Sequence, residues 1–269
     1  MKTVRLLIKA KPERAGAVRA QLASLHGVKV HAVTPEGRVF VTIERENERH
    51  VAQEIEDLSR SPDVLDWMEV DGKEDSFPDS TSSRPRVDPR AGPRPPWYVR
   101  LVLALQRRKY GAELEASRLW GRLPRSFLLL TLLYRTLDRA DSPLEPGMRA
   151  LVQLRISQIN WCAFCVDLMS ASAIERAVAP DKLEALAAFE ESALFSGREK
   201  AALAYAQAVT DPARPVDHPV FERLRAHFGE QEILELTALA AFQNMTSKFN
   251  AALSVPPQGF CTRRAAARR

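Results

Sequence analysis

The hydrophobic positions of the chain follow two different periods. In the first 70 residues, four segments alternate apolar and polar side chains, as strands with one buried face do: TVRLLIKA, VKVHAVT, RVFVTIE and VLDWMEV. Pro12–Leu25 and Asn47–Ser59, between them, have the apolar spacing of amphipathic helices. The order βαββαβ predicts a ferredoxin-like domain whose central hairpin turns at Pro35-Glu36-Gly37.

From Trp97 onward the apolar residues recur every three or four positions, and no segment alternates as a strand would. Ser196 and Glu199 form a capping box ahead of one of these segments. The second half is therefore predicted to be all-α. The expected helices are Tyr98–Tyr110, Leu114–Arg122, Arg125–Arg139, Gly147–Gln158, Cys165–Ala177, Asp181–Phe189, Gly197–Val209, Pro219–Phe228 and Gln231 to about Leu253.

The segment between the two halves, residues 71–97, is rich in proline, serine and mixed charge and nearly lacks apolar residues. Such a composition cannot bury enough surface to offset its ordering entropy, so it is predicted to be a flexible linker. The sequence thus predicts an α+β protein. Its expected parts are a ferredoxin-like domain at 1–70, the linker at 71–97, an all-helical domain at 98–260 and a basic tail at 261–269.

The formal net charge of +5 is concentrated at the C-terminus, where TRRAAARR supplies four arginines. This pattern predicts a disordered, solvated tail, and because no nucleic-acid motif accompanies it, we expect no nucleic-acid partner. No apolar run is long enough to span a membrane. The first residues contain no charged and then apolar leader, so we expect the chain to stay in the cytoplasm.

Candidate chemistry centres on Cys162 and Cys165 in QINWCAFCVDLM; Cys261, the third cysteine, is expected to be a spectator. Zinc needs four ligands, and only His218 and His227 lie downstream in this domain, so we expect no metal. A static cross-link over four residues removes little unfolded-state entropy. Two inert buried thiols remain an alternative. Redox use fits best, because helical residues three apart share a face and a helix N-terminus stabilises a thiolate.

Two blocks around the pair, LRISQINWCAFCVDLMSA and FQNMTSKFNAAL, resemble the carboxymuconolactone decarboxylase-like superfamily, on its alkylhydroperoxidase D-like branch, over roughly residues 97–260. The resemblance implies an all-helical, oligomeric thiol peroxidase without a bound cofactor. It assigns the attack on hydroperoxide to Cys165 and the closing of the disulfide to Cys162. Helix-dipole reasoning alone favours Cys162 as the nucleophile; we follow the family assignment.

Three positions depart from the peroxidase pattern, in which a glutamate and two histidines relay protons to the thiol. This chain has Ala150, Phe164 and Met169 there. A thiolate therefore needs other support, and Arg155 and Lys248 are the preferred cations. The candidate hydrogen-bonding residues are Gln158, Asn160, Asn244 and Asn250, and the candidate proton acceptor is Asp167.

The N-terminal stretch GVKVHAVTPEGRVFVTIE is similar to the small NapD-type chaperones of periplasmic nitrate reductase maturation, over most of residues 3–70. That family binds twin-arginine signal peptides along its sheet. The resemblance therefore implies a module that binds a signal-peptide-like partner.

These observations together predict a thiol-disulfide oxidoreductase that reduces hydroperoxides and is restored by an external thiol. Two alternatives stay open. Lactone decarboxylation would need acid–base residues, which this histidine-poor domain scarcely offers. A non-enzymatic redox-sensing or assembly chaperone would explain the missing relay. We also expect a homo-oligomer, because the helix around Phe127–Tyr134 is apolar on much of its circumference.

Overall fold

The computed structural model describes residues 2–11, 14–25, 27–33, 37–45, 56, 61–69, 84–212 and 215–266. Its contacts divide the chain into two compact units, Met1–Thr81 and Ser82–Arg269. The first contains a β-sheet and the second is helical, which confirms the α+β fold class. Apart from Glu56, the second predicted N-terminal helix, Asn47–Ser59, lies outside the described residues.

The N-terminal unit is built on an antiparallel sheet of strand order β2-β3-β1-β4, the order of a ferredoxin-like fold. Its elements are β1 (Lys2–Ala10), α1 (Ala15–Ser24), β2 (Val28–Val33), β3 (Arg38–Arg45) and β4 (Val64–Glu69). The alternating pattern produces the core, because Leu6 and Ile8 of β1 share one face and cluster with Val41 of β3. Leu22 of α1 belongs to the same fully buried cluster.

All regular elements in the described residues of the C-terminal unit are helices. Its helices are α2 (Trp97–Tyr110), α3 (Glu115–Gly121), α4 (Pro124–Leu137), α5 (Pro146–Ile159), α6 (Ala163–Glu175), α7 (Pro180–Glu184), α8 (Gly197–Thr210), α9 (His218–Arg225), α10 (Glu230–Ala252) and α11 (Phe260–Ala266). The predicted helix Asp181–Phe189 is α7 followed by a 3-10 turn, Ala185–Ala188.

Helix α5 lies at the centre of this unit. All of its residues from Met148 to Ser157 are buried, and it packs against α6, α8 and α10. The chain passes from the end of α5 directly into Cys162, so the cysteine pair is anchored to the best-packed helix of the domain.

The C-terminal tail is ordered further than its composition suggested. The prediction of a disordered tail is wrong as far as residue 266, because α11 begins at Phe260 and contains Cys261. The Asp167 carboxylate accepts the backbone N–H groups of Gln258, Phe260 and Cys261 at 2.8, 3.0 and 2.8 Å. The Asp167 carboxylate thus pairs with the free N–H groups at the start of the helix, which explains why this short basic helix forms.

The C-terminal part of the predicted linker is hydrogen-bonded to the helical unit. The Arg86 backbone N–H donates to the Leu253 carbonyl at 2.9 Å, and Arg122 Nη1 donates to the Asp88 carbonyl at 3.2 Å. Residues 70–83 lie outside the described part of the chain. None of the described helices combines the length and the hydropathy that crossing a membrane requires.

Candidate active site around the cysteine pair

A tight turn between α5 and α6 presents the cysteine pair. Trp161 lies in the left-handed region, at a φ of 57°, and Cys162 follows as the N-cap of α6. Cys162 and Cys165 form a disulfide with their Cα atoms 5.1 Å apart. The Cys165 backbone N–H donates to Cys162 Sγ at 3.1 Å, as it would to the oxygen of a capping side chain. The N-terminus of α6 therefore donates a hydrogen bond to the first sulfur of the pair, Cys162 Sγ.

The second sulfur has a different environment. Asn250 Nδ2, from α10, donates to Cys165 Sγ at 3.4 Å, and Asn250 is only 4% exposed. Cys165 also lines a cavity of about 160 Å³, whereas Cys162 is not among the described residues that line it. A small molecule in this cavity would meet Cys165 and not Cys162.

The cavity wall is mainly apolar and aromatic, and none of the described residues that line it is charged. Six rings contribute to it: Tyr110, Trp120, Phe127, Tyr134, Phe164 and Phe242. The Tyr134 hydroxyl donates to Asp138 Oδ2 at 3.1 Å. Burial, and then the charge of Asp138, raise the pKa of Tyr134 well above its usual value, so this phenol stays protonated and does not act as a base.

The three relay positions are filled with buried apolar side chains. Ala150, Phe164 and Met169 are at most 8% exposed, and the Phe164 ring packs edge-on against Phe260 with 6.3 Å between centroids. None of these side chains exchanges a proton. The site therefore has apolar side chains where the peroxidase pattern has acids and bases.

The two cations that the sequence suggested as support for the thiolate do not line the cavity at Cys165. Arg155 is buried in α5, where Nη2 donates to Gln207 Oε1 at 2.7 Å and Nη1 to Gln158 Oε1 at 3.4 Å. Lys248 is exposed on α10. Neither Arg155 nor Lys248 is among the described residues that line the cavity at Cys165.

Other candidate residues fix the geometry of the turn. Asn160, the C-cap of α5, donates from Nδ2 to Asn244 Oδ1 and to Ser247 Oγ, both at 2.8 Å. Asn244 Nδ2 donates in turn to Thr210 Oγ1 at 3.0 Å. These bonds tie the end of α5 to α10 and α8 immediately before the cysteines. Asp167, considered as a proton acceptor, instead has both carboxylate oxygens on the start of α11.

A buried amide network beside the cavity was not predicted from the sequence. Gln153 Nε2 donates to Gln243 Oε1 at 3.3 Å, and Gln243 Nε2 donates to Ser157 Oγ at 2.9 Å. Both glutamines line the cavity. A usable signal was present, because Gln153/Ser157 and Gln243/Ser247 repeat one uncharged pair at a spacing of four on two helices.

Comparisons with known proteins agree with this architecture. The sequence model of the carboxymuconolactone decarboxylase family matches residues 126–208, and that of the NapD protein family matches residues 4–68. The uncharacterized protein YnjA of Escherichia coli (strain K12) is 43% identical over 166 residues, which cover 62% of this chain and 91% of YnjA.

Two solved structures share the helical fold. One is an alkylhydroperoxidase AhpD core, an uncharacterized peroxidase-related protein from Ralstonia eutropha JMP134, with a TM-score of 0.58 at 21% identity, covering 66% of this chain and 94% of that protein. The other is the debrominase Bmp8, with a TM-score of 0.57 at 20% identity, covering 63% and 91%. At these identities the likeness concerns the fold.

Proposed function

We propose that the cysteine pair of this chain reduces hydroperoxides. The chain belongs to the carboxymuconolactone decarboxylase family through its helical unit and to the NapD family through its sheet unit. One observation carries the proposal: the two cysteines are joined in a disulfide, and one of them, Cys165, is among the residues that line an aromatic cavity. This arrangement supports a reaction of Cys165 with a small molecule, followed by closure of the disulfide.

In the proposed cycle, the Cys165 thiolate attacks the terminal oxygen of a hydroperoxide. The O–O bond breaks, Cys165 keeps the terminal hydroxyl as a sulfenic acid, and the expelled alkoxide takes a proton from water and leaves as the alcohol. The Cys162 thiol then attacks that sulfur and expels the hydroxyl as water, which leaves the disulfide. An external dithiol reduces the disulfide by exchange and regenerates both thiols.

The two sulfurs receive different help in this cycle. The Asn250 amide donates to Cys165 Sγ and stabilises the Cys165 thiolate. At the N-terminus of α6, the Cys165 backbone N–H donates to Cys162 Sγ and stabilises this sulfur both when it attacks and when it leaves. Turnover is expected to be slow, because each missing proton-transfer group is worth about 10²–10⁴-fold in rate.

Lactone decarboxylation is less well supported. Its substrate carries a carboxylate, and burying an unpaired anion against an uncharged wall is strongly unfavourable.

A second candidate function is a redox-sensing or assembly chaperone. The apolar residues at all three relay positions favour it, and so does the NapD-like unit, whose likeness suggests a peptide partner. Reaction stoichiometry separates the two functions: an enzyme consumes organic hydroperoxide continuously in the presence of a dithiol, whereas a sensor reacts once per chain.

Two single substitutions test the proposed division of labour. Cys162→Ser should take up one oxidising equivalent and stop as a sulfenic acid on Cys165, which a sulfenate-selective reagent would trap. Cys165→Ser should lose the first step, since serine is far too weak an acid to attack without a base. Peptide mass analysis after one equivalent of peroxide reads both outcomes. Equal behaviour of the two variants would refute the assignment.

A further inference from the structure

A second cavity of the helical unit, called here the basic cavity, lies where the end of α2, the second half of α6 and α11 meet. Its volume is about 290 Å³. Neither Cys162 nor Cys165 is among the described residues that line it. Its lining includes three basic side chains and one acidic one, so its wall has an excess of positive charge: Lys109, Arg263, Arg264 and Glu175.

Two of these three cations are not neutralised by the protein. Arg264 Nη2 forms an ion pair with Glu175 Oε1 at 3.0 Å. Lys109 and Arg263 have no carboxylate partner anywhere in the described part of the chain. Both side chains are exposed, so their charged groups are open to a ligand from solvent.

Both cations are held against one aromatic wall of the basic cavity. Lys109 Nζ lies over the Tyr110 ring at 5.1 Å from its centroid, and Arg263 Cζ lies over the Phe260 ring at 4.8 Å. The two rings contact each other edge-on, with 5.9 Å between centroids, and both line the cavity. Arg263 Nη1 also donates to the Gln258 carbonyl at 2.7 Å. These contacts restrain the two side chains before any ligand arrives, which lowers the entropy cost of binding an anion.

The rest of the lining suits a ligand that is larger than a bare ion. Ser172, partly buried on α6, offers a hydroxyl that bonds to no other described group. Ala112 and Ala171 add apolar surface beside the two rings. Because a cavity of about 150 Å³ already holds benzene, a volume of about 290 Å³ has room for a ring and an anionic group together.

We propose that the basic cavity binds a small organic molecule that carries two negative charges, such as a phosphate monoester or a dicarboxylate. Lys109 and Arg263 supply the opposite charges, the Ser172 hydroxyl donates a hydrogen bond, and the organic part of the ligand contacts the apolar wall. This site goes beyond the proposed peroxide reduction and uses neither thiol of the pair.

Calorimetric titration of the full-length chain with phenyl phosphate and with benzenesulfonate tests the requirement for charge. The two probes share the ring and carry two and one negative charges at mildly alkaline pH. Wild type should bind phenyl phosphate about twofold to fivefold more tightly, the range expected of one more exposed ion pair, and added salt should reduce the difference. Phthalate, a dicarboxylate on the same ring, shows by its affinity relative to phenyl phosphate which of the two anion classes the site prefers. Equal binding of phenyl phosphate and benzenesulfonate, or no binding of any of the three probes, would overturn the proposal.

Three single substitutions locate the bound anion. Lys109→Met and Arg263→Met remove the unpaired charges and should each weaken phenyl phosphate binding about twofold to fivefold. Arg108→Met removes the same charge from the same turn of α2, but Arg108 is not among the described residues that line the basic cavity, so the affinity should stay unchanged. An equal loss in Arg108→Met would show only diffuse attraction to a basic surface and would refute the site. Circular dichroism checks that each variant is folded. A chain that binds phenyl phosphate in this way yet never turns over peroxide would refute the proposed function and leave the basic cavity as a binding site.

Discussion

Replacing Asn250 by leucine asks whether a neutral amide is the main support of the Cys165 thiolate. In the disulfide form, Nδ2 donates to Cys165 Sγ at 3.4 Å from a side chain that is 4% exposed. On reduction the same donor meets a sulfur that carries a full charge. Leucine has a similar volume and fills the same space, so the substitution removes the donor with little change in packing.

The size of the effect follows from this single bond. A hydrogen bond to a charged group contributes about 1.5–3 kcal/mol, and its loss lowers the thiolate population at a fixed, moderately acidic pH by about 10- to 100-fold. The thiolate of a less acidic thiol is also a better nucleophile, with a Brønsted slope of about 0.4–0.5, and this offsets part of the decrease in reaction rate. The net decrease in the reaction rate of Cys165 should therefore be about 3- to 15-fold.

The assay is the alkylation rate of Cys165 in the reduced protein as a function of pH, read peptide by peptide. Removing a donor disfavours the charged form, so the rate profile of Asn250→Leu should move to higher pH and meet or exceed that of wild type at alkaline pH. Asn244→Leu makes the same change on the same helix. It loosens the Asn160 turn but removes no donor to Cys165, so its midpoint should shift less than that of Asn250→Leu. An unshifted midpoint in a folded Asn250→Leu variant would refute the reasoning.

Three further outcomes are expected. Leu129 is 67% exposed on the apolar helix α4, so Leu129→Lys should lower the self-association of the chain in sedimentation, and a monomeric wild type would contradict this. Burial, and then the charge of Asp167, raise the pKa of Cys261, so Asp167→Asn should move the pH midpoint of Cys261 alkylation to lower pH, separately from any change in rate at alkaline pH that a loosened α11 causes; an unshifted midpoint would oppose the assignment. Limited proteolysis should cut within 70–83 and spare 84–97, which is hydrogen-bonded to the helical unit, and a first cut inside 84–97 would count against this boundary.

Elements with strong local signals were predictable from the sequence. The capping box at Ser196 forms as expected: the Glu199 backbone N–H donates to Ser196 Oγ at 3.2 Å, and the Ser196 N–H donates to Glu199 Oε2 at 2.9 Å. The four alternating segments are strands in the predicted positions. In both cases the residues that decide the structure lie within a few positions of one another, so the sequence displays the cause directly.

The features that the sequence did not predict, helix α11 and the cavity, depend on residues that are distant in the sequence. Helix α11 forms because Asp167, more than 90 positions earlier, accepts its first N–H groups, and no local pattern reports that acceptor. The cavity similarly combines Gln106 of α2 with Asn250 of α10. Helical periodicity predicts which residues share a face, but it does not predict which faces meet. Asn250 was therefore a candidate by residue type, and only the fold distinguishes it from Asn244.

Apolar residues at all three relay positions are physically more favourable than an apolar residue at only one of them. A glutamate or histidine left alone in this buried site would be an unpaired polar or charged group, which is costly in an uncharged cavity. Ala150, Phe164 and Met169 together keep the site neutral, and the thiols then rely on donors that carry no charge, the Cys165 backbone N–H and the Asn250 amide. Such donors stabilise a thiolate but deliver no proton to a leaving alcohol. The same neutrality therefore limits how fast the pair can reduce a peroxide.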